Sequence, residues 1–554
     1  VLVGKNATFN AKRTIFAFNQ HLDGSAIYGY ENSTIQLEQS MFHHNYAAKK
    51  GAVVYLEKKS RLLIDDCTFF ENRLLDSGYS STPAQGTVIY GEDYLHLLIT
   101  NSLFEKHQRA LSYSSSSSSS SLSSYHDGGV LYSGKFANIT FINCNFNEND
   151  ANKGGVAFVD ERSNVTFTTC TFKRNEAKSD GGVVYLKSNG NIEFHQCIAY
   201  ENSLTATTYS SDLSAGDGSV LYSEGPGSVI VSNSSFRNNT AGDGCIYLKL
   251  ATISLRVVNT HFMHNKAYTN GGAIYRTSSY SSTPTSTKLV VIKNCTFTNN
   301  VAGYGYNYAS TSSVYNKYGG SLYLGGYTSN DVIITNTEFV NSVAGKGGAV
   351  YVTRTRNVSI SNCTFKQNQA KFGAGAIYFE DMHGVIIIDN TTFDENVAEK
   401  DQGGSLYAEL WYSIPDDAKR YTHLVINNST FTNNFAQKHL GFSPEELGGI
   451  GDPRAIIALS YNPKVSNLGL YLGYELKEYE GKYWDYLGTH SPILIKEARK
   501  MYKTNDRIKL CLKFVPIECR KFVQDGRGEI YSITNERTRK THYGRYGKNY
   551  CGGA

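Results

Sequence analysis

The sequence predicts an all-β chain: a parallel β-helix, or solenoid, followed by a basic module without the repeat. Two alternating motifs, a coil-length period and a β-rich composition predict it. Gly-Gly followed by apolar residues alternates with Phe-x-x-Asn along most of the chain. Undecorated copies lie 26 or 27 residues apart, as from Gly128 to Gly154 and from Gly154 to Gly181. The 554 residues include 51 Gly and 41 Tyr but only 9 Pro and 4 Met, a palette of strand and turn formers. This length exceeds one ordinary compact domain, so the choice is several domains or one repeat array. The 19% charged share argues against general disorder, and the 40% hydrophobic share supplies a core.

The Gly-Gly element starts each coil, at Gly128, Gly154, Gly181, Gly271, Gly319, Gly347 and Gly403, with Gly24-Ser25 and Gly218-Ser219 as variants. Glycine there permits a positive φ or a close approach at a corner. Short alternating runs such as Asn164-Val165-Thr166-Phe167 follow and read as strands, too short for helices. A period of this length with about three strands fits one coil, and about thirteen coils would span about 60 Å at the strand spacing. Phe-x-x-Asn closes the coil, as in Phe42/Asn45, Phe146/Asn149 and Phe365/Asn368, with departures at His107, Ala199 and Ser342. The phenylalanines are expected to stack inside and the asparagines to form a hydrogen-bonded ladder at a turn. Six cysteines, Cys67, Cys144, Cys170, Cys197, Cys295 and Cys363, precede the Phe position by two residues. That spacing puts them on the same inward face, as a buried thiol stack.

Ser/Thr/Tyr-rich insertions at 114–121, 205–214, 278–287 and 304–317 read as surface loops. Residues 1–440 are assigned to the repeats, 441–550 to the basic module, and 551–554 to the start of a further coil. The module is expected to hold strands at Ile508–Val515 and Glu529–Ile533 and a short helix at Pro492–Tyr502. From Lys482 to Lys548 it carries 16 Lys+Arg against 7 Asp+Glu, in a chain of net charge +5. Such a segment suits polyanions or an acidic neighbour, or simply a solvated surface.

The paired motifs resemble the repeats of chlamydial polymorphic outer-membrane proteins. Gly271-Gly272-Ala273-Ile274 with Phe297/Asn300 and Gly347-Gly348-Ala349-Val350 with Phe365/Asn368 match best, and the resemblance covers about residues 8–434. It implies a right-handed, pectate-lyase-like β-helix and a surface or adhesive role. The chain departs from that pattern in showing no C-terminal membrane-barrel signature.

Polysaccharide-active β-helices need clustered carboxylates on one strand face. Asp65-Asp66 is the only tempting pair on a repeat strand, and neighbouring coils carry Ser40 and Asn101 in the register of Asp66. The histidines lack metal-ligand spacing, and His43-His44 is expected to be exposed in a turn. No enzyme activity, metal, cofactor, nucleic-acid partner or membrane-spanning helix is expected.

Sequons are the strongest chemical signal: Asn6, Asn32, Asn138, Asn164, Asn233, Asn238, Asn294, Asn357, Asn362, Asn390, Asn427 and Asn428. Asn6, Asn138, Asn164 and Asn357 are read as one coil position. Asn233, Asn294, Asn362, Asn390 and Asn428 share another, three before Phe, which should face out. Rows of covalent N-glycans are the consequence. Sequons suggest a secreted product, where a Cys511–Cys519 disulfide is plausible, with Cys551 or Cys245 left over. Finally, Gly552-Gly553-Ala554 reads as a coil start that Val1-Leu2-Val3 would continue, which predicts a head-to-tail junction between copies or tandem periods. The expected function is an extracellular glycosylated structural protein polymerising into a filament, appendage or coat. A cell-surface adhesin or carbohydrate-binding β-helix is the alternative, and a polysaccharide lyase or hydrolase the third reading.

Overall fold

The computed structural model describes residues 1–75, 84–108, 126–205, 216–277, 289–304, 316–326, 330–382, 384–400, 403–410 and 422–436. The strands Ile457–Tyr461, Leu468–Glu475, Arg507–Phe514, Glu518–Gln524 and Ile530–Glu536 are described by their backbone. The described residues contain no helix, and the repeat forms a right-handed parallel β-helix. The chain divides into two compact units, Val1–Tyr268 with Gly272–Tyr275, and Thr269–Gly271 with Arg276–Ala554.

In the first unit every coil contributes to three long-running parallel ladders. A short ladder follows the Gly-Gly corner, as in Val54–Leu56, Ile89–Gly91 and Leu131–Ser133. A five-residue ladder comes next, as in Arg61–Asp65, His96–Thr100 and Asn138–Ile142. The Phe ladder, as in Thr68–Phe70 and Leu103–Glu105, completes the coil. The middle ladder alternates: in Arg61–Asp65 only Leu62 and Ile64 are buried, the period-2 pattern of a half-buried strand. A fourth ladder of about two residues follows the Asn, as in Asp150–Ala151 paired with Glu176–Ala177. Three strands per coil were expected; this one is too short to leave a periodic signal.

The second unit repeats the same order. Its middle ladder includes Leu289–Lys293, Asp331–Thr335, Asn357–Ser361 and Val385–Asp389. Ile457–Tyr461 and Leu468–Glu475 pair in parallel with Leu406–Leu410 and Thr422–Asn427. Coil-like pairing therefore runs past residue 440, where the sequence places a separate module. Arg507–Phe514, Glu518–Gln524 and Ile530–Glu536 then form an antiparallel meander. Residues 492–502 and 551–554 lie outside the described residues.

Corners are built from left-handed residues. Asp66, Asn101, Asn143 and Thr169 have φ of 51 to 55° between the middle and Phe strands. Gly128 has φ 78°, and a Cβ there would lie 2.2 Å from the Leu131 carbonyl oxygen. Its neighbour Gly129 is needed for space instead: a Cβ would meet the Gly155 carbonyl oxygen at 2.0 Å. The two glycines of the motif therefore answer different constraints.

Inside the coils the phenylalanines stack face to face, with Phe42, Phe69 and Phe104 at 4.7 and 4.6 Å between centroids. Each fully buried ring is worth about 1.5–3 kcal/mol. At Ala199 the stack lacks a ring; Phe194, stacked on Phe167 in the middle ladder at 5.3 Å, stands edge-on 6.0 Å from Phe172 and 6.2 Å from Phe236. The buried asparagines form the expected ladder. Asn149 Nδ2 donates to Asn175 Oδ1 in the next coil at 2.9 Å and to the Phe104 carbonyl at 3.1 Å. The Asn149 backbone amide also donates to Asn175 Oδ1, so the Asn149 side chain and its own N–H are satisfied. His107 replaces one asparagine, accepting from the Asn72 amide through Nδ1, and burial lowers its pKa to about 3.

Candidate functional site

The six cysteines are buried, but sulfur is not what defines their position. The same site in other coils holds Ser40, Ser102, Ser234, Thr337 and Thr391. Each side chain accepts from the backbone amide one coil earlier: Ser40 N–H to Cys67 Sγ at 3.4 Å, Cys67 N–H to Ser102 Oγ at 3.1 Å. Each also donates to the carbonyl two residues before, as Cys67 to Asp65 and Ser102 to Thr100. Burial pushes the Cys67 and Cys363 thiols up to about 11, which keeps them protonated and unreactive. Cys245 is a seventh buried thiol. In the C-terminal meander Cys511 lies opposite Phe522, and Cys519 opposite Phe514. That register offsets the two cysteines by three positions, roughly 10 Å at ordinary strand rise, beyond disulfide reach. The expected Cys511–Cys519 bond does not fit this pairing. Cys551 and the side chains of the basic module lie outside the described residues.

Asp65 and Asp66 diverge. Asp65 accepts from Thr100 Oγ1 at 2.5 Å and Asn101 Nδ2 at 2.8 Å, and these bonds hold its carboxyl below the usual range. Asp66 occupies the left-handed corner. A longer carboxylate row, Asp180, Asp217 and Asp243, was not singled out in the sequence. The Asp217 amide donates to Asp180 and the Asp243 amide to Asp217, at 3.2 and 3.0 Å. Burial, then the charges of Asp243 and Asp180, push Asp217 up to about 8. No group of three potential metal ligands occurs among the described residues, and no helix there is long and apolar enough to cross a membrane.

Beside this row runs a tyrosine stack on the short ladder, from Tyr28 and Tyr55 to Tyr222 and Tyr247. Neighbouring rings lie 4.6–5.3 Å apart, and Tyr28 and Tyr55 donate to Glu57 and Glu92. Each ring face is covered by the next ring, so the row offers no platform on which a sugar could stack. An exposed aromatic pair lies elsewhere: Tyr94 and Phe136, 49% and 39% exposed, stacked at 4.9 Å with Arg162 over Phe136.

Histidine chemistry is more organised than the sequence suggested. His43 and His44 are half-buried, their Nδ1 atoms 3.1 Å apart, with His44 Nε2 2.9 Å from Glu71. On the outer face of the middle ladder, His195 bridges Glu193 and Ser232, at 2.8 Å through Nε2 and 2.7 Å through Nδ1. Glu193 accepts from Nε2–H, which leaves Nδ1 to accept from the Ser232 hydroxyl. This is a nucleophile–base–carboxylate order, but the neighbouring Asn233 amide donates to the Val258 carbonyl and not toward a reacting oxygen. An insertion separates Ser232 from His195 by 37 residues, which hid the pairing in the sequence.

The sequon asparagines occupy the surface. Asn6, Asn32, Asn138, Asn164, Asn233, Asn238, Asn294, Asn362, Asn390 and Asn428 are exposed and Asn357 is half-buried; the Asn427 side chain lies outside the described residues. Asn233, Asn294, Asn362, Asn390 and Asn428 all sit at the left-handed corner before the Phe strand, with φ of 45 to 53°. Asn138 and Asn164 pair across adjacent strands. Asn6 does not share their position: Thr8 pairs with Thr34, which puts Asn6 two residues earlier, in register with Asn32.

Outer carboxamides form rows of their own, running opposite to the buried ladder. Asn32 Nδ2 donates back to Asn6 at 2.7 Å, Asn191 to Asn164 at 2.9 Å and Asn259 to Asn233 at 3.0 Å. Asn336 donates to Asn294 at 3.1 Å and Asn390 to Asn362 at 2.6 Å.

Residues 85–252 match the family model described as the right handed beta helix region. Over 196 residues the chain is 31% identical to the probable autotransporter YfaL of Escherichia coli (strain K12). That match covers 30% of this chain and 14% of the relative's length.

Proposed function

We propose that this chain is a cell-surface or secreted β-helix with a structural role, N-glycosylated along its corners and without catalytic activity. The observation that carries this reading is the placement of the sequons: ten of their asparagines are exposed and most fall in rows. Similarity to a probable autotransporter supports the surface or secreted setting. Repeat coils are one-dimensional building units, which suits a filament, appendage or coat assembled from copies of the chain. Two measurements on native material test it. Endoglycosidase treatment should increase gel mobility, and electron microscopy should show polymer. Dispersed single particles with unchanged mobility would rule the reading out.

An adhesive or carbohydrate-binding role is the second reading, favoured by the exposed Tyr94–Phe136 pair under Arg162. Replacing both rings by serine should then abolish glycan-array binding. Binding unchanged in that variant would remove the support for a contact there.

A further inference from the structure

We infer that the folded coils take N-glycans at the hydrogen-bond acceptor of each outer asparagine pair and exclude them from the donor. The inference rests on the glycosylation reading above and sorts its sites.

N-glycosylation joins Nδ2 to the anomeric carbon of a lipid-linked oligosaccharide. The sugar–phosphate bond to the carrier breaks, and one Nδ2 proton leaves. Nδ2 is thus the atom that matters, and the rows treat it in two ways. Asn32 and Asn390 use Nδ2 to donate into the carboxamide of the previous coil, at 2.7 and 2.6 Å. Asn357 donates to Asp331 at 3.0 Å. A sugar on these nitrogens replaces one of their two N–H groups and has to fit beside the neighbouring coil's oxygen, which crowds the pair. Asn6, Asn164, Asn233 and Asn362 receive such bonds on Oδ1, and a sugar on Nδ2 leaves the accepting oxygen undisturbed.

The sequence follows the same division. In the pairs Asn164/Asn191, Asn233/Asn259 and Asn294/Asn336, only the acceptor carries Asn-x-Ser/Thr. In Asn6/Asn32 and Asn362/Asn390 both members do, so these two pairs separate geometry from motif. A sugar added to a donor before folding crowds the row as it closes, which disfavours such chains in the secreted protein.

The test uses the full chain secreted from a eukaryotic host that N-glycosylates. Glycans are removed enzymatically in heavy-oxygen water, and peptide mass spectrometry reads the labelled aspartate left at each occupied site. Asn6 and Asn362 should be labelled several-fold more than Asn32 and Asn390, with Asn164 and Asn233 high and Asn357 low. Asn362→Gly keeps the left-handed corner but removes the acceptor, and should raise Asn390 to the level Asn362 had. Equal labelling within both double-sequon pairs, or Asn390 unchanged in Asn362→Gly, overturns the sorting while glycosylation stands. No label at any sequon sinks both.

Discussion

Single residues in this fold act through the backbone of the next coil. Ser102, at 2% exposure, accepts the Cys67 amide and donates to the Thr100 carbonyl. Ser102→Cys should be nearly neutral, because cysteine fills this position in other coils. Ser102→Ala should lose about 1–3 kcal/mol in denaturant unfolding, by stranding the Cys67 amide. The sequence displayed six cysteines here and hid the rule, because the shared property is a small donor–acceptor side chain and not the element sulfur. Asp217 supplies a pH prediction. Its folded pKa, about 8, stands above the ordinary carboxyl value, so the folded state favours the protonated form. Its contribution is complete below about pH 4 and is lost as pH rises toward 8. Asp217→Asn should flatten that decline and raise stability at pH 9 by roughly 1–2 kcal/mol. A thermal-denaturation series from pH 4 to 9 that falls equally in both proteins would contradict this. Ser232, for its part, should resist a fluorophosphonate probe despite its bond to His195; labelling there would overturn the non-catalytic reading.

At the scale of the element, registers were legible wherever one residue type repeats once per coil. Phe, buried Asn and Gly-Gly qualify, because each answers a constraint few other residues meet. The two-residue ladder after Asn was illegible, since two positions show no alternation. Asn6 was misplaced by two residues because its sequon, not the strand that follows, set the alignment. Ala199 tests the aromatic stack. Phe194 stands edge-on to Phe172 and Phe236, the rings on either side, so Ala199→Phe should crowd it and cost about 1–3 kcal/mol in denaturant unfolding. A gain in stability would mean the gap is empty. Gly129→Ala should be worse, several kcal/mol, because the new Cβ meets a backbone oxygen that cannot rotate away. Its effect would be read as loss of folded, secreted protein.

For the whole molecule, the parallel β-helix was legible because period, motif order and strand length agree. The C-terminal limit of coil-like pairing was not, because Ile457–Tyr461 and Leu468–Glu475 carry neither motif. The opposed directions of the inner and outer asparagine rows have an electrical consequence. Every hydrogen-bonded carboxamide is a dipole, and a row of them adds head to tail, as peptide units do along a helix. Within a unit the Asn-to-Asn bonds of the buried row run toward later coils, as from Asn149 to Asn175, its other N–H turning back to the Phe104 carbonyl, while those of the outer rows run toward earlier ones, as from Asn191 to Asn164. The two polarities oppose each other, so lengthening a stack of coils need not build up a voltage along it.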